Sequence, residues 1–119
     1  MALETMAPNP VWDADAHEET VTVLREHDDV TYTIWGGDWC KDCRSQLPDF
    51  GAALEAADVE DDRIEHVAVD RDKQGPGVEA YDIEYIPTIV VERGGDEVAR
   101  FVESEDVPAA AYLAEQLDS

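Results

Sequence analysis

Trp39-Cys40-Lys41-Asp42-Cys43 brings two thiols into one short stretch, and its setting decides how the whole chain is read. Upstream, Val30-Thr31-Tyr32-Thr33-Ile34-Trp35 is β-branched and aromatic, the composition of a buried strand, and Gly36-Gly37 ends it. Downstream, Cys43, Leu47, Phe50, Leu54 and Ala57 recur at steps of three and four, which is one face of a helix. Pro48 lies inside that helix, removes a backbone donor and kinks it. Cys40 therefore falls at a helix start, where unpaired N–H groups and the macrodipole favour a thiolate. Cys43 falls one turn later on the apolar face and is expected to be sheltered. An exposed attacker beside a sheltered resolver is the arrangement that two-step thiol–disulfide exchange requires. Between them, Lys41 favours the thiolate and Asp42 opposes it.

Other readings of the pair fit less well. A structural disulfide closing so small a loop constrains the unfolded chain little. A metal site needs about four ligands; the chain has no second cysteine pair, and His17, His27 and His66 are scattered. Two unrelated cysteines sit badly with Trp39 and with the helix-start placement. The alternative that stays open is an interaction module without turnover, which senses redox state or bridges a metal between two chains.

Outward from this stretch, the chain reads as a leader and one domain. Residues 1–12, with Pro8 and Pro10, are expected to form a flexible N-terminal leader, and 13–119 the domain. A helix is predicted over Asp13 to His27 and a second strand over Ile64 to Val69. Asp70 to Gly77 reads as a loop, and Val78 to Tyr81 as a short helix. Two further strands, Thr88 to Glu92 and Val98 to Val102, flank the hairpin turn Gly94-Gly95. Asp106-Val107-Pro108 opens a last helix, whose apolar stripe runs through Val107, Ala110, Ala111, Ala114 and Leu117. This order predicts an α/β domain: a central mixed β-sheet, parallel early and antiparallel late, flanked by helices on both faces.

Thirty acidic residues against eight basic ones give a formal charge of −22, which disfavours binding to nucleic acid or to anionic membranes. The acids are spread among well-patterned apolar segments rather than gathered in a tail. That is the pattern of a halophilic surface, where salt screens self-repulsion. No apolar run reaches the length of a membrane span, and the first residues show neither a basic start nor an apolar stretch. The expectation is a cytoplasmic protein acting as a monomer.

The same residues resemble the thioredoxin superfamily. Trp39-Cys40-x-x-Cys43 matches that family's active-site motif, and Pro48 its helix-kinking proline five residues after the second cysteine. Tyr81 to Thr88, with Ile86-Pro87-Thr88 at its end, is similar to the family's loop that carries an Ile-Pro-Thr triplet, and Ile89 to Val102 to the closing hairpin. The resemblance implies a thioredoxin-like fold with a cis bond at Pro87 facing the cysteines. Ile86 would offer its backbone to an extended substrate, and Trp39 would cover one flank of the same groove. It further implies catalysis by Cys40 and Cys43 on the disulfides of client proteins, with no metal and no dissociable cofactor beyond the redox-active disulfide. A separate reductase would supply the electrons. The chain departs from thioredoxins proper in three ways. Lys41-Asp42 replaces Gly-Pro, Ile34 stands where a buried aspartate is usual, and the first strand has no counterpart before Asp13. His66 aligns with the lysine that partners that aspartate, which makes it a candidate to take the Cys43 proton.

Overall fold

The computed structural model describes residues 6–72, 74–102 and 108–118. Strands β1 (Val30–Gly36), β2 (Ile64–Ala68), β3 (Thr88–Arg93) and β4 (Asp96–Val102) form one sheet in the order β2-β1-β3-β4. β1 pairs in parallel with β2 and antiparallel with β3, and β3 pairs antiparallel with β4. The sheet is thus mixed in the expected sense. Three α-helices accompany it: α1 (Glu18–Glu26), α2 (Lys41–Ala56, with Pro48 inside) and α3 (Ala109–Asp118).

Strand alternation sorts the core. Ile34 lies opposite Ile89, which lies opposite Phe101, so these three share a face with Tyr32. Helix α2 closes that face through Phe50, whose ring meets Tyr32 edge-on at 6.0 Å, and α3 closes it through Tyr112 against Phe101 at 5.8 Å. Helix α1 packs against both of them. Leu24, Leu47, Phe50, Leu54 and Leu113 are buried in this layer, each such side chain contributing about 1.5–3 kcal/mol. In α3 the expected stripe holds for Ala110, Ala114 and Leu117, joined by Leu113; Asp106 and Val107 lie outside the described residues.

The opposite face carries Trp35 and is covered by residues 74–83. The helix expected at Val78–Tyr81 is here a run of turns. Val78 N–H bonds the Gly75 carbonyl at 3.2 Å, Tyr81 N–H that of Gly77 at 2.9 Å, and Ile83 N–H that of Val78 at 2.8 Å. Asp82, with φ of 55°, leaves the helical region, and a single turn is too short to propagate. Side chains fix these turns to the sheet. Trp35 Nε1–H donates to the Pro76 carbonyl at 2.8 Å, the Tyr81 hydroxyl to Glu92 at 3.0 Å, and Arg100 to the Tyr81 carbonyl at 2.9 Å.

Two further expectations change. The single helix predicted over Asp13–His27 divides into a 3-10 turn, Ala14–His17, and α1, because His17 (φ −127°, ψ 33°) leaves helical geometry. The leader is attached rather than loose from Met6 onward. Met6 is buried, Asn9 N–H donates to the Pro48 carbonyl at 3.0 Å, and the Asn9 amide donates to Asp49 at 2.8 Å. Gly51 makes room for it, since a Cβ there would collide with the Met6 carbonyl.

Candidate active site

The site forms where β1 ends, α2 begins and the chain enters β3. Cys40 is the N-cap of α2, with extended backbone (φ −83°, ψ 125°). Its N–H bonds the Gly37 carbonyl at 3.0 Å, and its own carbonyl accepts the Arg44 N–H at 3.1 Å. Cys40 is partly exposed; Cys43, one turn on, is fully buried, and both are free thiols. The two cysteines thus divide as their helix positions require, one reachable and one sheltered.

The Gly37 N–H points at the Cys43 sulfur from 3.5 Å. Burial pushes the Cys43 thiol up to about 12, the Gly37 amide opposes that shift, and the Cys40 thiol and the Asp42 carboxylate add to it. Cys43 is therefore a protonated thiol at neutral pH, and any step in which it attacks must include removal of that proton.

The Ile86–Pro87 peptide bond is cis, and the Cys40 thiol lies 3.9 Å from the Ile86 carbonyl. The Ile86 side chain is itself buried, so this residue presents backbone, not side chain, to the dithiol. Thr88 caps the bend by donating its hydroxyl to the Tyr85 carbonyl. Trp39 immediately precedes Cys40. Its Nε1–H donates to the Val69 carbonyl at 3.3 Å, and its ring lies against Gly37, where a Cβ would run into the indole. The Arg71 guanidinium sits 5.4 Å above the same ring.

Cys40, Cys43, Trp39, Ile86 and Pro87 are thus brought together. Lys41 and Asp42 are exposed on the first turn of α2. His66 lies elsewhere: on β2 opposite Ile34, half-buried beside Met6, Gly51 and Leu54, with burial pushing its imidazole below the ordinary value. Besides burial, the groups that shift Cys43 are Gly37, Cys40 and Asp42. Sequence reasoning missed Gly37, Val69 and Arg71. Gly37 read only as a strand breaker, and the other two reach Trp39 through a contact thirty or more positions away. Among the described residues no group of three or more His, Cys, Asp or Glu side chains is placed to hold a metal, and no helix is long and apolar enough to cross a membrane.

The thioredoxin family profile matches residues 11–116. The chain belongs to the thioredoxin family. Among solved structures it is similar to Fasciola hepatica thioredoxin, at 22% identity over 88% of this chain and 91% of that one, with a TM-score of 0.53. A mutant thioredoxin from Halobacterium salinarum matches at 19% identity over 99% and 93% of the two chains, TM-score 0.52. Oxidised mitochondrial thioredoxin 3 from Saccharomyces cerevisiae matches at 15% identity over 86% and 88%, TM-score 0.52. These likenesses establish the thioredoxin fold. No curated protein matches the chain in sequence.

Proposed function

We propose that this thioredoxin-family chain is a thiol–disulfide oxidoreductase that reduces the disulfides of client proteins. The observation that carries the reading is the pairing of a reachable Cys40 with a buried, protonated Cys43 beside the cis Ile86–Pro87 bond. The Cys40 thiolate attacks one client sulfur; the client S–S bond breaks, the first client thiolate leaves, and a mixed disulfide forms. Cys43 then gives up its proton and attacks the Cys40 sulfur. The Cys40–client bond breaks, the second client thiol is released, and the Cys40–Cys43 disulfide holds the oxidising equivalents. Two electrons have passed to the client, and a partner reductase returns them. The reduced Cys40–Cys43 dithiol carries the electron pair, so the exchange calls on no dissociable cofactor.

Trp39, Ile86 and Pro87 shape the groove in this scheme, the Ile86 backbone pairing with an extended client segment. The Gly37 N–H stabilises the Cys43 thiolate as it forms, and Lys41 and Asp42 flank the attacking sulfur. His66 is the candidate proton acceptor within this reading; exchange rates in His66→Ala equal to the parent from pH 6 to 8 would remove it from the scheme. The charge of −22 supports work in a saline cytoplasm, and full folding and activity in low-salt buffer would contradict that.

An equilibrium redox titration of the Cys40–Cys43 pair in molar potassium chloride, read by thiol alkylation and mass spectrometry, tests the function. A two-electron transition near about −270 mV supports a reductase, and one near about −120 mV marks an oxidant or isomerase. If no intramolecular disulfide forms at any poise, the exchange mechanism fails and the sensing or metal-bridging reading replaces it.

A further inference from the structure

The basic residues of this acidic chain divide into two groups. Arg25, Arg63, Arg93 and Arg100 are tied into the fold. Arg25 donates to the Ala56 carbonyl, Arg63 to the carbonyls of Val30 and His27, Arg93 pairs with Asp29, and Arg100 with Glu97. Lys41, Arg44 and Arg71 are exposed beside the dithiol and brace nothing. Among the described residues Lys41 and Arg44 make no side-chain hydrogen bond or ion pair, and Arg71 lies over the Trp39 ring. Lys41 and Arg44 stand three positions apart on the turn that Cys40 caps. Lys73, the remaining basic residue, lies outside the described residues.

The acids follow the opposite pattern. Residues 38–44 and 70–72 together hold three bases and four acids, so −21 of the formal charge of −22 lies outside them. Of the four acids, Asp70 is turned into its own loop, its carboxylate accepting the N–H groups of Asp72 and Gln74 at 2.9 Å. Asp38, Asp42 and Asp72 remain at the rim. An acidic segment that approaches the body of the molecule meets net negative charge; at the dithiol it meets a nearly neutral rim with three exposed cations.

We propose that this rim docks acidic client segments, with Arg71 on Trp39 as its main specificity-determining residue. The proposal rests on the reductase reading and adds the class of client to it. Client Asp and Glu carboxylates flanking the disulfide pair with Lys41, Arg44 and Arg71. The indole face attracts the Arg71 guanidinium, whose fork of N–H donors matches a carboxylate. At molar salt the Debye length is about 3 Å. Long-range repulsion from the body is then screened, and contact pairs at the rim decide which segment stays.

Three peptides that carry the same intramolecular disulfide, flanked by Glu, Gln or Lys, test this with the full-length reduced chain in molar potassium chloride. The Glu-flanked peptide should be reduced about two- to fivefold faster than the Gln-flanked one, the range that exposed ion pairs sustain, and the Lys-flanked one slowest. The combined variant Lys41→Gln, Arg44→Gln, Arg71→Gln should bring the Glu-to-Gln ratio to one or below. A parent ratio of one, a ratio unchanged in the variant, or a fastest Lys-flanked peptide overturns the proposal, the last showing that bulk acidity selects clients. Fluorescence anisotropy of cysteine-free versions of the peptides, bound to Cys40→Ser/Cys43→Ser protein, separates docking from chemistry. Glu-selective binding that is lost with the three cations, in a chain that reduces none of the disulfides, sinks the reductase reading and leaves the docking rim standing.

Discussion

On one face of the sheet Tyr32 and Phe101 meet Phe50 and Tyr112 ring to ring; on the other, Trp35, Tyr81 and Arg100 hold a run of turns by hydrogen bonds. The first cover is held by buried apolar area and needs a repeating apolar stripe, which α2 and α3 supply. The second cover, too short for such a stripe, depends on a few directed bonds from the sheet outward. The dithiol draws on both. Cys40 and Cys43 come from the helical cover, and Ile86–Pro87 leads out of the turn cover into β3. The lesson is that the reacting sulfurs are anchored by packing while the groove beside them is anchored by polar contacts. Mutations should therefore divide into those that cost stability and those that loosen the groove.

Truncation in the helical cover should have the largest effect. Phe50→Ala is expected to cost about 3–5 kcal/mol in urea unfolding, a large part of the stability of a domain this size. On the turn cover, Trp35→Phe removes the bond to the Pro76 carbonyl while keeping a ring in place, at a cost of about 1–3 kcal/mol. Hydrogen exchange should then quicken in residues 74–83 before it does in α2. Equal losses from the two substitutions, or exchange that quickens uniformly, would erase the contrast between the faces.

Ionisation sharpens the same contrast at alkaline pH. Cys43 and Tyr32 lie on the helical side, and burial pushes both up to about 12. In the unfolded chain the thiol ionises near about 8.5 and the phenol near about 10. Unfolding therefore releases protons that the folded chain retains. The stability due to this is complete below about pH 8.5 and is lost as pH rises towards 12. Cys43→Ser should flatten the lower part of that limb in the reduced protein; a limb unchanged by the substitution would mean the thiol is not held protonated by burial. The smallest effect concerns a polar flaw in the helical cover. The Tyr32 hydroxyl is buried without a hydrogen-bond partner among the described residues, so Tyr32→Phe should be neutral or should stabilise by up to about 1 kcal/mol. A clear loss in thermal unfolding would show that the hydroxyl has a partner after all.

What could be read from the sequence was local. The cysteine pair, the kinked helix and the Gly94-Gly95 hairpin depend on residues a few positions apart, and each stands where its spacing places it. That Pro87 faces the cysteines is legible only through the family resemblance, since forty-six positions separate Cys40 from Ile86. The turns at Val78–Tyr81 passed for a helix because the local pattern holds nothing that registers the left-handed backbone at Asp82. Gly37 reads in the sequence only as a strand breaker and nothing local marks Gly51, yet at each a distinct group leaves no room for a Cβ, the Trp39 indole in one case and the Met6 carbonyl in the other. Such contacts have no sequence period, which is why the amide facing Cys43 and the cation over Trp39 were not foreseen.

The attachment of the amino-terminal segment bears on how the molecule can be handled. Met6 and Asn9 grip α2 at Pro48, Asp49 and Gly51, and at about 1.5 Å per residue the last of these stands roughly 15 Å along the helix from its cysteine-bearing end. The segment from Met6 to Asn9 is thus held to the flank of the kinked helix, away from the thiols, so a probe attached there would report on the helix and leave the dithiol uncovered.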